Sequence, residues 1–313
     1  YERNTAISGA GFHHQGHSQD TRQYSVALEN AKADSVRGVA GWWYCAFNSK
    51  MVRDYGFPLP IFVRGDDIEF SLRCKREIVS LNGVCVWHEP FINKYSELME
   101  DYYLPRNMII NALLATQNLD ELIKVFTIGR VKKHLRELNY PAAQMVLRAA
   151  KHVLDGTYQE DAEQLHLQMA SELKEIKSSI PFFSDVKAHV PTKPVHRSKK
   201  LRKVIAVMVR YGVLSGKKGT ALYGFRRKRV DFDGRKEVLV FDPLRQGADL
   251  VKLSRTDNRV ISREIRQLYQ EIMHQKSRLK EELLIYRNNA TKRAYWEDLF
   301  RSDGKIDTNR TAK

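Results

Sequence analysis

The sequence predicts an α/β region over residues 1–118, followed by a mostly α-helical region over residues 119–313 that includes one β-hairpin. In the first part, short apolar runs alternate with turns rich in glycine and proline, a pattern that is typical of buried strands. From Leu119 onward, apolar residues recur at the spacing of amphipathic helices. The string DFDG at residues 231–234 lies between two strand-like runs and indicates the hairpin.

The first region should contain both strands and helices. The aromatic run at residues 41–48 and the apolar runs at 61–63 and 84–86 predict strands. A helix is expected directly after Asp66 and Asp67, either of which can cap it. A later helix should bend at Pro105, because proline cannot donate a helical hydrogen bond. The helical segments are 50–55, 68–75 and 97–116.

The second region should be helical except for the hairpin strands at residues 223–229 and 237–241. A proline-containing linker is expected between residues 181 and 194. The last and longest helix offers a surface for self-association, but the sequence does not decide whether the protein forms oligomers. The helical segments are 122–135, 145–154, 161–177, 198–211 and 259–287.

Composition excludes several classes of protein. Hydrophobic residues make up 42% of the chain, which argues against disorder and predicts a core. The longest apolar run of the basic region, residues 204–209, is far shorter than the roughly 20 residues of a membrane-spanning helix. Three cysteines without CxxC spacing favour a reduced, cytoplasmic setting.

The net charge of +16 is concentrated in one stretch, residues 186–230. No acidic residue lies between Asp185 and Asp231, whereas fourteen lysines and arginines do. The rest of the chain is therefore close to neutral. This asymmetry indicates one surface that faces a polyanion.

Asp66 and Asp67 are candidate catalytic residues. They are adjacent carboxylates after a predicted buried strand, and open α/β sheets bind ligands at the carboxyl ends of their strands. One carboxylate can accept a proton from a hydroxyl nucleophile while the other orients that hydroxyl. The alternative is structural: a helix cap and a first-turn acid that the helix dipole favours.

Two further features have both a functional and a structural interpretation. His88, at the end of an apolar run and before Glu89, is either a metal ligand or a structural histidine. Trp42 and Trp43 offer flat faces that can stack on sugar rings or bases, or they pack in the core. Because neighbours on a strand face opposite ways, we expect one of the pair to line a surface or a site.

These features become specific in combination. In order, the motifs are GWWYC at 41–45, FPLP at 57–60, FVRGDDIEF at 62–70, VWHEPF at 86–91 and Arg106-Asn107. Together they resemble the second half of the catalytic domain of inverting family-2 glycosyltransferases. Within that group they are most similar to bacterial galactofuranosyltransferases that build cell-wall or capsular galactan. The resemblance covers about residues 38–115.

The resemblance implies a GT-A fold, with a Rossmann-like nucleotide-binding half and an acceptor-binding half. It implies inverting transfer of a sugar, galactofuranose from UDP-galactofuranose, to a lipid-linked or polysaccharide acceptor. Asp67 would be the catalytic base, and Asp66 would help to hold the acceptor hydroxyl. Trp42 and Trp43 would line the acceptor site. His88 would complete the coordination of a divalent metal, Mn²⁺ or Mg²⁺.

One departure from the family pattern concerns the metal. The family's other metal ligands lie in an Asp-x-Asp motif on an earlier strand, and no such motif precedes Trp42. The one Asp-x-Asp string is Asp231-Phe232-Asp233, in the expected hairpin. We therefore expect the protein to continue upstream of Tyr1, and these residues alone to be inactive. A second departure is Gly65, where some relatives carry tryptophan.

The basic stretch is predicted to dock on an anionic membrane surface. Residues 198–211 can form a helix that carries cations ahead of an apolar segment, and each cation near anionic lipid contributes about 1 kcal/mol. With a lipid-linked acceptor, this predicts a cytoplasmic protein at the inner face of the cell membrane. A solvated basic face or an acidic partner subunit is the alternative. The cations are Lys199, Lys200, Arg202 and Lys203.

A protein without catalytic activity, either a nucleic-acid-binding protein or a membrane-docking scaffold, is the competing class. The basic run at residues 226–229, beside Tyr223 and Phe225, would suit phosphate contacts with stacking. No RRM, KH, zinc-finger or helix-turn-helix signature is present, however, and this reading leaves the motifs at 41–91 unexplained. We therefore expect no nucleic-acid partner.

Overall fold

The computed structural model describes residues 5–8, 11–14, 20, 22–26, 28, 35–79, 86, 94–184, 186, 194–196, 198–224 and 227–302. His88 and Glu89 lie outside these residues, as do two of the three residues of the predicted strand at 84–86. None of the described helices is both long enough and apolar enough to cross a membrane.

Helices make up most of the described chain, and the predicted fold class, an α/β region followed by a mostly helical one, is confirmed. The α-helices are α1 (Lys50–Tyr55), α2 (Asp66–Cys74), α3 (Leu104–Leu114), α4 (Asp120–Lys124), α5 (Arg130–Arg136), α6 (Tyr140–Leu154), α7 (Ala162–Ser178), α8 (Lys199–Tyr211), α9 (Arg255–His274), α10 (Lys276–Ala290) and α11 (Arg293–Ser302).

The helix ends follow from local chemistry. The side chain of Asp161 accepts a 2.8 Å hydrogen bond from the backbone N–H of Gln164 and so caps α7. A π-helical turn, Leu98–Tyr103, precedes α3 at the place where Pro105 interrupts the helical bonding. The long helix predicted over 259–287 is interrupted at Gln275, which separates α9 from α10.

The strands form three small sheets. Two are antiparallel pairs, β1–β2 and β3–β4, and the third has four strands in the order β5-β8-β7-β6. The strands are β1 (Thr5–Ser8), β2 (Gly11–His14), β3 (Ser35–Arg37), β4 (Glu77–Val79), β5 (Phe182–Ser184), β6 (Lys217–Leu222), β7 (Arg235–Asp242) and β8 (Gly247–Lys252).

The hairpin predicted around residues 231–234 is wrong, because β6 and β7 are parallel. A parallel pair needs a crossover of roughly a dozen residues, and residues 223–234 provide it. Phe232, near the end of this crossover, is buried with Val238 and Val240 rather than exposed at a turn. The antiparallel hairpin occurs one strand later, between β7 and β8.

The chain divides into two compact units that are interleaved in sequence. Unit 1 comprises Tyr1–Trp87, Asn107–Leu122 and His274–Lys313. Unit 2 comprises His88–Arg106 and Ile123–Met273. The functional boundary near residue 118 stays a prediction.

Unit 2 has a helical core and a buried ionic network. The apolar core joins the π-helical turn at Leu98–Tyr103 to α6 and α7. Asp101 accepts hydrogen bonds from Tyr95 Oη (2.6 Å), Arg130 Nε (2.9 Å) and His134 Nε2 (2.7 Å). Burial alone would raise the pKa of Asp101, but His134, Arg130 and Tyr95 together hold it at about 2. The ionised carboxylate thereby anchors α5.

Candidate active site

The segment before the aspartate pair is an unusual loop rather than the predicted buried strand. Phe62, Arg64 and Gly65 have φ angles of 56°, 76° and 90°, which no strand residue adopts. Ile61 is buried, whereas Phe62 and Val63 are exposed. Non-glycine residues in the left-handed region cost free energy and are held there only by their surroundings.

Two buried asparagines of α3 provide those surroundings. The Nδ2 atom of Asn107 lies 3.0, 3.1 and 2.6 Å from the carbonyl oxygens of Ile61, Val63 and Arg64. One helical turn later, Asn111 Nδ2 donates a 2.8 Å hydrogen bond to the carbonyl oxygen of Gly65. The two amides therefore fix four carbonyl groups within the five residues 61–65 of the loop.

Helix α2 begins directly from this loop. Gly65 occupies the N-cap position in the left-handed conformation, so Asp66 and Asp67 belong to the first helical turn. The prediction that an aspartate caps the helix is therefore wrong, since no side chain makes a capping hydrogen bond there. Instead, Asp67 Oδ1 accepts a 2.8 Å hydrogen bond from the N–H of its neighbour Ile68.

The Asp67 carboxyl group is half-buried and has a raised pKa. Burial is the main cause, and the negative charge of Asp66 adds to it. Backbone hydrogen bonds from Ile68 and Trp42, together with Arg64, offset part of the rise and leave the pKa at about 6. A carboxyl group with this pKa can both accept and release a proton near neutral pH.

The aromatic segment at residues 41–48 is irregular, so the predicted strand is wrong there too. The Trp42 ring packs against Phe47 and edge-on against Phe70 of α2, with centroid distances of 6.3 and 5.6 Å. Trp43, by contrast, is 51% exposed. The two tryptophans thus have different environments, but not through the strand alternation on which the sequence expectation rested.

A cavity of about 420 Å³ lies between the segment 40–47, α2 and β4, and neither Asp66 nor Asp67 is among its lining residues. Trp42 lines it and also donates its backbone N–H to the Asp67 carboxylate. Cys45, another lining residue, has its pKa raised by burial and by the charge of Asp67. The remaining lining residues come mainly from the segment 40–47, from α2 and from β4. Sequence reasoning did not identify β4 as part of this site.

The opposite side of α2 is held by an ionic cluster. Glu69 is buried and forms a 2.9 Å ion pair with Arg73 Nε. Arg73 Nη2 also donates to the carbonyl oxygen of Phe57 at 2.9 Å, and Arg287 of α10 lies 3.8 Å from Glu69 Oε1. These contacts restrict rotation of the helix that carries both aspartates.

The metal prediction stays a prediction. His88 lies outside the described residues. Within the described ranges, no group of three or more His, Cys, Asp or Glu side chains is placed to hold a metal ion. The Asp-x-Asp string is structural, because Asp231 and Asp233 are buried in unit 2 and Asp233 pairs with Arg229.

The predicted membrane-docking cations lie on α8, in unit 2. Lys199, Lys200 and Lys203 are exposed. Arg202 is half-buried, and its Nη1 atom donates to the carbonyl oxygen of His196 at 3.0 Å. Three of the four cations are therefore free to face a large anionic surface.

Known proteins show a distant and partial similarity to this chain. It is 28% identical over 120 residues to galactofuranosyltransferase GlfT2 of Mycolicibacterium smegmatis, a match that covers 37% of this chain and 19% of that protein. It is 25% identical over 132 residues to galactofuranosyltransferase GlfT2 of Mycobacterium tuberculosis, covering 39% of this chain and 20% of that protein. No protein-family profile matches the chain.

The similarity supports a glycosyltransferase relationship. The matched segment spans only about a fifth of the length of each relative.

Proposed function

We propose that the chain forms the acceptor side of an inverting glycosyltransferase that transfers galactofuranose from UDP-galactofuranose to a lipid-linked or polysaccharide glycan. The observation that carries this proposal is Asp67, a half-buried carboxyl group of raised pKa that accepts a backbone hydrogen bond from Trp42, a residue that lines the aromatic cavity. The similarity to two galactofuranosyltransferases supports the class of reaction and of donor.

In the proposed reaction, Asp67 accepts the proton of the acceptor hydroxyl as its oxygen attacks the anomeric carbon. The bond from that carbon to the diphosphate breaks, and the nucleoside diphosphate leaves with the bonding electrons. A single displacement inverts the configuration and needs one base. Asp66, the adjacent carboxylate, would orient the hydroxyl.

The aromatic side chains supply an acceptor-binding surface. Tyr44 and Phe47 line the cavity and are 64% and 41% exposed, and Trp43 is exposed next to them in the chain. Flat aromatic faces pack against the apolar faces of sugar rings. We propose that Trp42 fixes the position of this segment and that Trp43 contacts the glycan.

Asp67→Asn in the complete protein tests the base. Removal of a general base should lower kcat by about 10²- to 10⁴-fold while the KM for the acceptor changes little. Asp54→Asn, at an exposed position of α1 in the same unit, is the matched control and should keep the wild-type rate. Transfer by Asp67→Asn at a near wild-type rate would refute the assignment.

Metal dependence is a separate proposal. A divalent Mn²⁺ or Mg²⁺ ion would neutralise the departing diphosphate, and His88 would supply one ligand. The described residues do not form a complete ligand set. His88→Ala should raise the metal concentration needed for half-maximal activity. An unchanged metal titration would remove His88 from the site.

We also propose that α8 docks on anionic lipid at the inner face of the cell membrane. Its apolar residues Leu201, Val204, Val207, Met208 and Tyr211 are between 38% and 71% exposed. Soluble proteins seldom leave such a row of apolar side chains uncovered. Cations at one end and apolar residues along the exposed side are typical of a helix that lies in a membrane interface.

Liposome co-sedimentation tests the docking proposal. The protein should bind vesicles with phosphatidylglycerol and not vesicles of phosphatidylcholine alone. Lys199→Gln/Lys200→Gln/Lys203→Gln should weaken binding at least tenfold, whereas Lys252→Gln/Arg263→Gln/Lys292→Gln, which removes three exposed charges elsewhere, should weaken it much less. Tight RNA binding at the same salt concentration without vesicle binding would instead favour the nucleic-acid class.

A further inference from the structure

A second cavity, in unit 2, has an unusual charge. It has a volume of about 270 Å³ and lies between α5, α8 and α9. No aspartate or glutamate lines it. Six of its lining residues are cations: Lys132, Arg136, Arg210, Arg255, Arg259 and Arg266.

These six cations, which we call the cationic pocket, lack acidic partners. None of them forms an ion pair with any residue in the part of the chain that the structure describes. Other arginines of unit 2 are paired, such as Arg148 with Glu172 and Arg245 with Asp249. Like charges that gather without counter-charges repel one another, so a bound anion would lower the electrostatic free energy of the pocket.

Arg210 shows this most directly. It is half-buried, and its Nε atom is hidden from solvent without a hydrogen-bond acceptor among the described residues. Burial lowers its pKa, and the charge of Arg136 lowers it further. A buried donor without an acceptor costs free energy that a bound acceptor would restore.

The three arginines of α9 are on the same side of that helix. Arg255, Arg259 and Arg266 follow one another at intervals of four and seven residues, which brings them to one face. The backbone next to the pocket is built to admit Arg255: a Cβ atom at Gly212 would lie 2.8 Å from its Cζ atom. Gly212 also ends α8 with a φ of 84°, a left-handed conformation that favours glycine. Both the backbone conformation and the space for Arg255 therefore require glycine at this position.

We propose that the cationic pocket binds the phosphate or diphosphate group of a phosphorylated ligand. Guanidinium groups pair with phosphate oxygens through two parallel hydrogen bonds, and several arginines around one cavity can surround such a group. Apolar side chains, including Val131, Leu135 and Ile265, line the cavity beside the cations, together with the polar Asn258 and Ser262, which suits a phosphate ester better than a bare inorganic ion. The ester is either a soluble molecule or a lipid head group.

Calorimetric titration with inorganic pyrophosphate, at low and at physiological salt, is the primary test. Wild-type protein should bind it saturably, and Arg136→Gln/Arg210→Gln should bind it at least tenfold more weakly. Arg263→Gln, at an exposed position of α9 outside the pocket, is the matched control and should bind like wild type. Arg259→Gln/Arg266→Gln, a second pair at exposed positions, should reproduce the loss if the first pair impairs folding.

A second arm identifies the source of the phosphate group. Vesicles with phosphatidic acid present a phosphate monoester, and vesicles with phosphatidylglycerol at equal surface charge do not. A preference for phosphatidic acid that Arg136→Gln/Arg210→Gln abolishes assigns the pocket to a lipid. Pyrophosphate binding without that preference assigns it to a soluble ester. The proposal is overturned if the protein shows neither pyrophosphate binding nor a preference for phosphatidic acid. It is also overturned if Arg263→Gln weakens pyrophosphate binding as much as the pocket variants do, or if the protein binds only RNA. Glycosyl transfer is not measured in either arm, so the outcome is independent of the Asp67 assignment.

Discussion

The side-chain amide of Asn111 donates a 2.8 Å hydrogen bond to the carbonyl oxygen of Gly65, the residue that directly precedes the aspartate pair. The neighbouring Asn107 contacts three further carbonyl groups of the same loop. The position of Asp66 and Asp67 thus depends on two uncharged side chains of another helix. These asparagines are positioning residues, because they act on the aspartates through the loop.

The two asparagines should differ in importance. Asn107→Leu removes an amide donor that three carbonyl groups of the loop share, which should lower the free energy of unfolding by about 1–3 kcal/mol. Asn111→Leu should cost less, because the Gly65 carbonyl keeps the helical hydrogen bond from Glu69 N–H and because Asn111 Oδ1 is buried without a partner. Urea unfolding measures both values.

Activity provides the second readout for these variants. If the asparagines only stabilise the fold, kcat should recover at low temperature where both variants are folded. A positioning role instead predicts a lower kcat for Asn107→Leu even when it is fully folded. Equal effects of the two substitutions would contradict the assigned hydrogen bonds.

Substitution of Gly65 should also disturb the aspartates. Gly65→Ala places a side chain at a φ of 90°, which costs on the order of 1–2 kcal/mol, and its Cβ atom would lie 2.5 Å from Met108 Cε. Met108→Ala added to Gly65→Ala should relieve the steric part alone. The expected result by urea unfolding is partial recovery in a double-mutant cycle. Full recovery would show that the backbone conformation carries no strain.

The raised pKa of Asp67 predicts how Asp67→Asn affects stability. The folded pKa of about 6 is above the ordinary value of 3.8, so the native protein binds more protons than the unfolded chain between these pH values and loses stability as the pH rises from about 4 to about 6. Asp67→Asn removes this loss. It should therefore stabilise the protein at pH 7.5 by about 1–2 kcal/mol, and by almost nothing near pH 4.

Unfolding midpoints at the two pH values check this expectation. Asp54→Asn, at an exposed position, should have the same small effect at both. A stability gain from Asp67→Asn that is equal at pH 4 and pH 7.5 would mean that the Asp67 carboxyl group titrates as in the unfolded chain.

Substitution of Trp42 should mainly affect stability, whereas substitution of Trp43 should mainly affect acceptor binding. Trp42→Ala removes ring contacts with Phe47 and Phe70 and should cost about 2 kcal/mol, less than a fully buried tryptophan. Trp43→Ala should change stability by less than about 0.5 kcal/mol and raise the KM for a glycan acceptor. Trp43→Phe keeps an aromatic face and should restore much of the binding. An unchanged KM in Trp43→Ala would exclude Trp43 from the acceptor surface.

Helical periodicity in the sequence predicted most of the helices, because their apolar faces pack within their own unit. The predictions of strands at 41–48 and 61–63 were wrong, because tertiary contacts determine the backbone conformation of both segments. Composition cannot reveal that Asn107 holds Phe62 and Arg64 in left-handed conformations, or that Trp42 turns toward Phe70. The motif Arg106-Asn107 was noticed in the sequence, but the role of Asn107 became clear only from its contacts.

Charge counting along the chain located α8 but not the cationic pocket. Of the six pocket cations, only Arg210 lies within the basic stretch at residues 186–230. The other five come from α5 and α9, where acidic residues nearby in sequence mask them. Their association depends on how three helices pack, which a one-dimensional count does not contain.

The ion pair between Glu69 and Arg287 has a consequence for biosynthesis. Its partners are more than two hundred positions apart, and Lys280 of α10 likewise donates to the carbonyl oxygen of Ala115 at 3.1 Å. At about 5–20 residues per second, a ribosome needs roughly 10–40 s to proceed from α2 to α10. During that interval the helix with both aspartates lacks its closing contacts. The nascent chain would therefore need protection from aggregation until α10 emerges.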